Sequence, residues 1–302
     1  MLGDDRSAYP MNCFVRLKFN GPLDRERFEM ALQTAANRHA LLSSVVRTSG
    51  RRQFHWVPTK NKAPEVRWLE HPNPSDFPTA THLNVQHQTG LVCHVISNAD
   101  SFHFVMQFHH SCCDAAGGFQ FLEDLLMVYA NSVEPPSRRL PLPMIDEQQL
   151  PLRNSFGLTL SRCLKLIPSQ MLGILGARKF LMRKPVPLVP HQLTTTDSGP
   201  GSNYPAVLSF QFNQAETASI LATAHRQAVT VNSLLARDLF LAMEDFRLRQ
   251  RIGKETDWLR LTIPMNLRAD WAQNLPAANA VSMVFLDRQR SDCDDPMRLL
   301  HG

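Results

Sequence analysis

Between Phe102 and Tyr129 two periodicities and an aperiodic polar cluster follow one another within a single short stretch, and any fold for this chain must place all three. Phe102, Phe104, Met106 and Phe108 alternate with His103, Val105 and Gln107, the period-2 pattern of a strand. Leu122, Leu125, Leu126 and Tyr129 recur at i, i+3, i+4 and i+7, one apolar stripe of a helix, with Gly117 and Gly118 at its start. Between them His109-His110-Ser111-Cys112-Cys113-Asp114 follows neither period. Side chains can converge at the end of a buried strand, and chemistry is commonly placed there. If the strand stays extended, His109 and His110 point to opposite faces. In that phase His110 shares the even face with Phe108 and Met106, which would partly desolvate its ring.

A neutral imidazole can take a proton near pH 7, which makes a histidine in such a cluster a candidate general base. Asp114 lies four positions after His110 and could orient its ring. Three other readings compete. His109, His110, Cys112, Cys113 and Asp114 are zinc-ligand types, but adjacent pairs lack the usual Cys-x₂₋₄-Cys or His-x₃₋₅-His spacing. Cys112 or Cys113 could be a nucleophile with histidine as its base. The histidines could also simply belong to the core of a hairpin and helix.

The rest of the chain reads as alternating strands and helices. Met11, Cys13, Val15, Leu17 and Phe19 predict a first strand ended by Gly21-Pro22. Asp24 can cap a helix from Arg25 to about His39, with Phe28, Leu32 and Ala35 inward and Leu23 as a staple. Leu41 to Arg47 predicts a turn into a strand, Phe54–Val57 and Glu65–Leu69 short strands, and Leu91–Ile96 a strand turning at Asn98-Ala99-Asp100 into 102–109. Prolines at 135, 136, 141 and 143 mark a linker or crossover. Residues 151–184 hold Arg153, Arg162, Lys165, Arg178, Lys179, Arg183 and Lys184 with no acid, a basic helix that reads foremost as a solvated surface crossover. Such a helix could also meet an anionic membrane surface or an acidic partner. After the irregular stretch 185–201, Val207–Phe212 is strand-like and Gln214 to about Arg226 helical. Asn232 to about Arg249 is a helix with Leu235, Leu239, Met243 and Phe246 on one side, capped by Thr230 or Asn232. Trp258–Pro264 and Val281–Leu286 are strands. The resulting division is an N-terminal lobe at 1–150, a basic crossover with a Pro-rich linker at 151–204, and a second lobe at 205–302.

At 302 residues and 43% hydrophobic content the chain can bury a large core. A net charge of +5 spread along it, without a zinc-finger or RNA-binding signature, gives no sign of a nucleic-acid partner. The acidic start Met-Leu-Gly-Asp-Asp-Arg is unlike a signal peptide, and no segment reaches a spanning length, so a cytoplasmic protein is expected. Six scattered cysteines form neither a disulfide framework nor a Cys-x-x-Cys pair.

His109-His110-x-x-x-Asp114, set between a core strand and a helix, resembles the motif of the chloramphenicol acetyltransferase-like superfamily. The nearest resemblance is to the condensation-domain-like group of carrier-protein and alcohol acyltransferases and nonribosomal peptide synthetase domains. Two further stretches agree in order: Gly-Pro-Leu-Asp followed by a helix and Arg38-His39-Ala40-Leu41-Leu42, and Asn266-Leu267-Arg268 after a late strand. The usual motif has Gly after its aspartate, where this chain has Ala115. The resemblance implies an α/β fold of two lobes, each a mostly antiparallel sheet with helices. It implies acyl transfer from a coenzyme A or acyl-carrier-protein thioester to a hydroxyl or amine acceptor, with His110 as general base and no metal or redox cofactor. It also implies that His109 packs or hydrogen-bonds and that Asp114 makes a structural ion pair with Arg268. Glycine permits close approach, so the backbone N–H groups near Gly117 and Gly118 are expected to face a thioester or pantetheine arm. Family members continue past the point matched by Gly302, so the second lobe is expected to be incomplete. A non-catalytic role as a carrier-protein docking module is the other reading the resemblance carries.

Overall fold

A computed structural model describes residues 5–6, 10–50, 53–59, 64–70, 82–97, 101–155, 160–165, 167–188 and 210–301. They pack as two units, Met1–Leu158 with Asn266–Val281, and Thr159–Met265 with Ser282–Gly302. The sequence divides into consecutive blocks. The packing instead assigns 266–281 to the first unit, for reasons that the site below makes plain.

In the first unit the elements are β1 (Asn12–Asn20), α1 (Arg25–Arg38), β2 (Ser44–Ser49), β3 (Gln53–Pro58), β4 (Glu65–Glu70), β5 (Leu91–Ser97), β6 (Ser101–His109) and α2 (Ala115–Val133). Asp24 starts α1 by accepting from the Arg27 N–H at 3.0 Å, as its position before the apolar period predicts. The main sheet has the order β1-β6-β5-β4. β6 pairs antiparallel with β1 from Asn12↔His109 to Asn20↔Ser101, and with β5 from Leu91↔Phe108 to Ser97↔Phe102. β4 lies parallel to β5, and β2 with β3 forms a separate antiparallel pair. The expected turn at 98–100 lies outside the described residues.

β6 is an interior strand with both backbone edges paired, so its C-terminal end is a rigid base for the polar cluster. Its even residues Phe102, Phe104, Met106 and Phe108 join a core with Phe28, Leu32 and Ala35 of α1 and Phe121, Leu122 and Leu125 of α2. Its odd residues are buried as well: His103, Val105, Gln107 and His109. Burial on α2 runs from Gly117 and Gly118 through Phe121 to Leu125, while Leu126 and Tyr129 are half-buried.

That second buried face carries a pH liability. Burial, aided by Arg67 and opposed by the Gln107 hydrogen bond and by Glu65, pushes the His94 imidazole down to about 4. Burial likewise lowers His103 and His109. Unfolded histidines titrate near pH 6.5, so below that the unfolded chain binds protons that the folded chain refuses, and stability falls as pH falls. Between pH 6.5 and about 4 the loss is expected to be on the order of 2 kcal/mol from His94. Urea unfolding at pH 7.5 and 5 checks it, and His94→Gln should flatten the difference.

In the second unit the basic segment divides into a 3-10 stretch (Glu147–Asn154, in the first unit), α3 (Leu160–Lys165) and α4 (Ile167–Met182). Lys165, Arg178, Lys179 and Lys184 are exposed, but so are Leu164, Leu181 and Met182, so the end of α4 shows basic and apolar residues together. The Arg183 guanidinium lies 4.4 Å over the Trp258 ring. Among the described residues no helix is long and apolar enough to cross a membrane. α5 (Gln214–Arg226) has a full capping box on Asn213, and α6 (Val231–Arg249) is capped by Thr230, not Asn232. β7 (Trp258–Asn266) and β8 (Val281–Gln289) pair, and α7 (Pro296–His301) follows.

Two expectations fail here. Of the proposed strand Val207–Phe212, residues 207–209 lie outside the described set, and Phe210 to Phe212 are irregular and exposed, with no strand partner among the described residues. The apolar side expected for α6 is mostly not the buried one: Leu235, Leu239 and Phe246 are exposed and only Met243 is half-buried against the core, while Leu234, Phe240, Glu244 and Arg247 are buried. Charge pairing explains the difference, since Glu244 meets Arg290, and Arg247 donates to Asp257 Oδ2 at 2.6 Å and to Pro187 O at 3.1 Å.

Candidate active site

β6 ends at His109, whose N–H donates to Gly90 O at 2.9 Å; the His110 N–H adds one bond to Met11 O at 2.7 Å. The Cys112 N–H then closes a turn on His109 O at 2.9 Å, and Asp114 becomes the N-cap of α2. This sharp exit takes His110 out of the strand before its phase can continue. His110 is half-buried in the turn, while His109 is the fully buried ring.

Asp114 is 2% exposed and fully engaged. Oδ1 accepts from the Gly117 N–H at 2.9 Å, and Oδ2 accepts from the Ala280 N–H at 2.8 Å and Arg268 Nη1 at 2.7 Å. Arg268 Nη2 also donates to Ala278 O at 2.6 Å, and the Asp114 N–H donates to the same carbonyl at 3.3 Å. One carboxylate therefore caps a helix and fastens 266–281, which is why that segment packs with the first unit. A second fastening comes from His39, whose Nδ1 accepts from the Ala277 N–H at 2.8 Å. A third is Gln120 Nε2 donating to Leu275 O at 2.7 Å.

The segment so held places Asn279 against His110. Asn279 Nδ2 donates to His110 O at 2.7 Å and lies 3.0 Å from His110 Nδ1, while its Oδ1 accepts from the Val281 N–H at 3.1 Å. A carbonyl on one side and an N–H on the other fix the amide orientation, so Nδ2 can only donate to the ring. His110 Nδ1 is then an acceptor, and the neutral ring carries its proton on Nε2.

His109 is fully buried, with Nε2 3.2 Å from Asp5 Oδ2. Asp5 also accepts from the Met11 N–H at 2.9 Å and meets His82 Nε2 at 2.7 Å. Burial raises the Asp5 carboxyl, but the Met11 N–H and the two imidazoles outweigh it and hold the group below its usual range. On its other side His109 Nδ1 receives Ser111 Oγ at 2.7 Å and the Ser111 N–H at 3.1 Å.

Gly117 and Gly118 do permit close approach, but to protein. A Cβ on Gly117 would lie 2.8 Å from Ala278 O, and one on Gly118 3.1 Å from the Phe108 ring. Both N–H groups are occupied, Gly117 by Asp114 Oδ1 and Gly118 by Asp114 O at 2.8 Å. The expectation that they face a thioester is thus corrected: α2 and the 266–281 segment use them for packing. Gly117→Ala is expected to cost about 1–3 kcal/mol by overpacking against backbone, measured by denaturant titration. The cysteines are also poor nucleophiles here. Burial pushes Cys112 up to about 12 and Cys113 well above its ordinary value, so neither is a thiolate at neutral pH. Among the described residues no group of three or more His, Cys, Asp or Glu could hold a metal ion.

Neither Asn279 nor Asp5 is visible to motif reasoning. Asn279 sits in Ala-Ala-Asn-Ala with no period, and Asp5 lies ahead of the first strand. The one available signal was a lone polar residue flanked by small ones just before a strand.

No family model and no curated protein sequence matches the chain. Solved structures do. The first condensation domain of the calcium-dependent antibiotic synthetase, in complex with a substrate analogue, is 15% identical, with a TM-score of 0.67 over 96% of this chain and 67% of that one. The SgcC5 protein from Streptomyces globisporus is 15% identical, with a TM-score of 0.66 over 99% of this chain and 68% of that one. The epimerization domain from the third module of tyrocidine synthetase B is 13% identical, with a TM-score of 0.65 over 99% and 68%. The chain thus has the mixed α/β fold of condensation and epimerization domains and spans about two thirds of their length.

Proposed function

We propose that this chain is an acyltransferase that moves an acyl group from a coenzyme A or acyl-carrier-protein thioester to a hydroxyl or amine, with His110 as general base. The fold hosts both condensation and epimerization domains, so the reaction has to be argued from the site. The observation that carries the reading is His110 itself: a half-exposed imidazole on a rigid strand exit, gripped at Nδ1 and at its own carbonyl by one asparagine. The Asp114 oxygens are taken up by Arg268 and the Gly117 and Ala280 N–H groups.

In the reaction the acceptor oxygen or nitrogen attacks the thioester carbonyl while His110 Nε2 takes its proton. The C–S bond then breaks, and the imidazolium returns that proton to the departing thiolate. Nε2 can accept only when the ring proton sits on Nδ1. That tautomer gives up the Asn279 bond, a cost of about 1 kcal/mol, small beside the 10²–10⁴-fold that such a base contributes. Asp114 and Arg268 hold the loop and take no proton.

Thiol release from a panel of acyl-coenzyme A donors with pooled alcohols and amines tests the proposal. Release that needs both an acceptor and His110 supports it. No release above His110→Ala, from folded protein, would favour the carrier-protein docking role.

A further inference from the structure

Ser111 and His109 are not used by the reaction above, and the structure places them with Asp5 in one line of contacts. Ser111 Oγ lies 2.7 Å from His109 Nδ1, and His109 Nε2 lies 3.2 Å from Asp5 Oδ2. Asp5 is held in turn by the Met11 N–H and by His82. The imidazole between them is fully buried, and Ser111 at the open end is half-buried in the turn beside His110.

We propose that Ser111, His109 and Asp5 form a nucleophile unit, separate from His110, in which Ser111 Oγ is acylated by activated esters and thioesters. A hydroxyl becomes nucleophilic when a neighbouring base takes its proton and a third group orients that base. Ser111 supplies the hydroxyl, His109 the base, and Asp5 a carboxylate 3.2 Å from the far side of that base. The Ser111 N–H donates to Nδ1, so the neutral His109 ring carries its proton on Nε2, which makes no hydrogen bond and has the Asp5 carboxylate 3.2 Å away as its charge partner. Attack forms the Oγ–C bond, His109 takes the hydroxyl proton, the bond to the leaving oxygen or sulfur breaks, and the leaving group departs with that proton. The Ser111 N–H shares the same lone pair at 3.1 Å, the longer of the two contacts. The unit does not depend on the acyl-transfer reading, since it needs neither His110 nor an acceptor.

A fluorophosphonate probe tests it on the whole chain: Oγ–P forms, P–F breaks and HF leaves. Peptide mass spectrometry should find one adduct, on Ser111, with p-nitrophenyl acetate placing an acetyl group on the same residue. Asp5→Asn, which keeps the shape, should slow labelling ~10²-fold, as should His109→Gln, in protein that circular dichroism and a cooperative melt show to be folded. His110→Ala should label at the wild-type rate while losing any acceptor-dependent thiol release, so the two proposals fail separately. Folded wild-type protein without an adduct on Ser111 would overturn the inference. So would equal labelling rates in wild type and Asp5→Asn, which would make the Ser111 to His109 contact a turn cap only.

Discussion

Asp114→Ala should lower the unfolding free energy by about 3–5 kcal/mol, the cost of leaving one partner of a buried ion pair alone. The mechanism is specific. Arg268 loses the 2.7 Å contact that neutralises it, the Ala280 N–H loses its acceptor, and α2 loses its N-cap on Gly117. Removing a cap alone costs ~1 kcal/mol, so a loss confined to that size would mean the ion pair is dispensable. Arg268→Ala should cost nearly as much, because the carboxylate then stays buried without its cation. The double variant should lose much less than the sum, since both changes remove one coupled contact. Urea denaturation of the four proteins gives the coupling; additive losses would place Asp114 and Arg268 in independent roles.

The second large effect is on rate. His110→Ala should reduce acceptor-dependent thiol release by about 10²–10⁴-fold with little change in stability, because the ring is half-buried and Asn279 keeps its bond to the residue's own carbonyl. Asn279→Asp separates positioning from base chemistry. A carboxylate can accept from Nδ1–H but cannot donate to it, so the ring proton moves to Nδ1 and the charged ring gains a partner. Nitrogen-15 shifts of the imidazole should show the tautomer exchanging, and the acid limb of the pH–rate profile should move to higher pH, with activity falling most below neutrality. An unchanged tautomer would mean that Asn279 merely packs.

The parts of this fold that could be read from the sequence are those whose cause is local. Asp24 before an apolar period starts α1, and alternating phenylalanines make β6. The site is less local. Asp114 and Arg268 meet across about half of the chain, and no spacing rule joins them; it was the resemblance that suggested the pair. Asn279 reaches His110 only because Asp114, His39 and Gln120 hold 266–281 in place. On α6 the period itself misled, since the helix has a second face on which Glu244 and Arg247 are buried through distant partners, Arg290 and Asp257. Apolar periodicity does not register a buried charge.

The discontinuity of the first unit has a consequence for synthesis. When residue 158 has emerged from the ribosome, the sheet and α2 can assemble, yet the Asp114 carboxylate has no cation and His39 no amide to accept from. Residues 159–265 must all be made before Arg268, Ala277 and Asn279 arrive, roughly ten seconds at ~5–20 residues per second. Through that interval the nascent lobe carries an acid without its guanidinium and an open edge on α2, the kind of surface that chaperones hold. The same carboxylate that shapes the finished site thus delays its completion until late in translation.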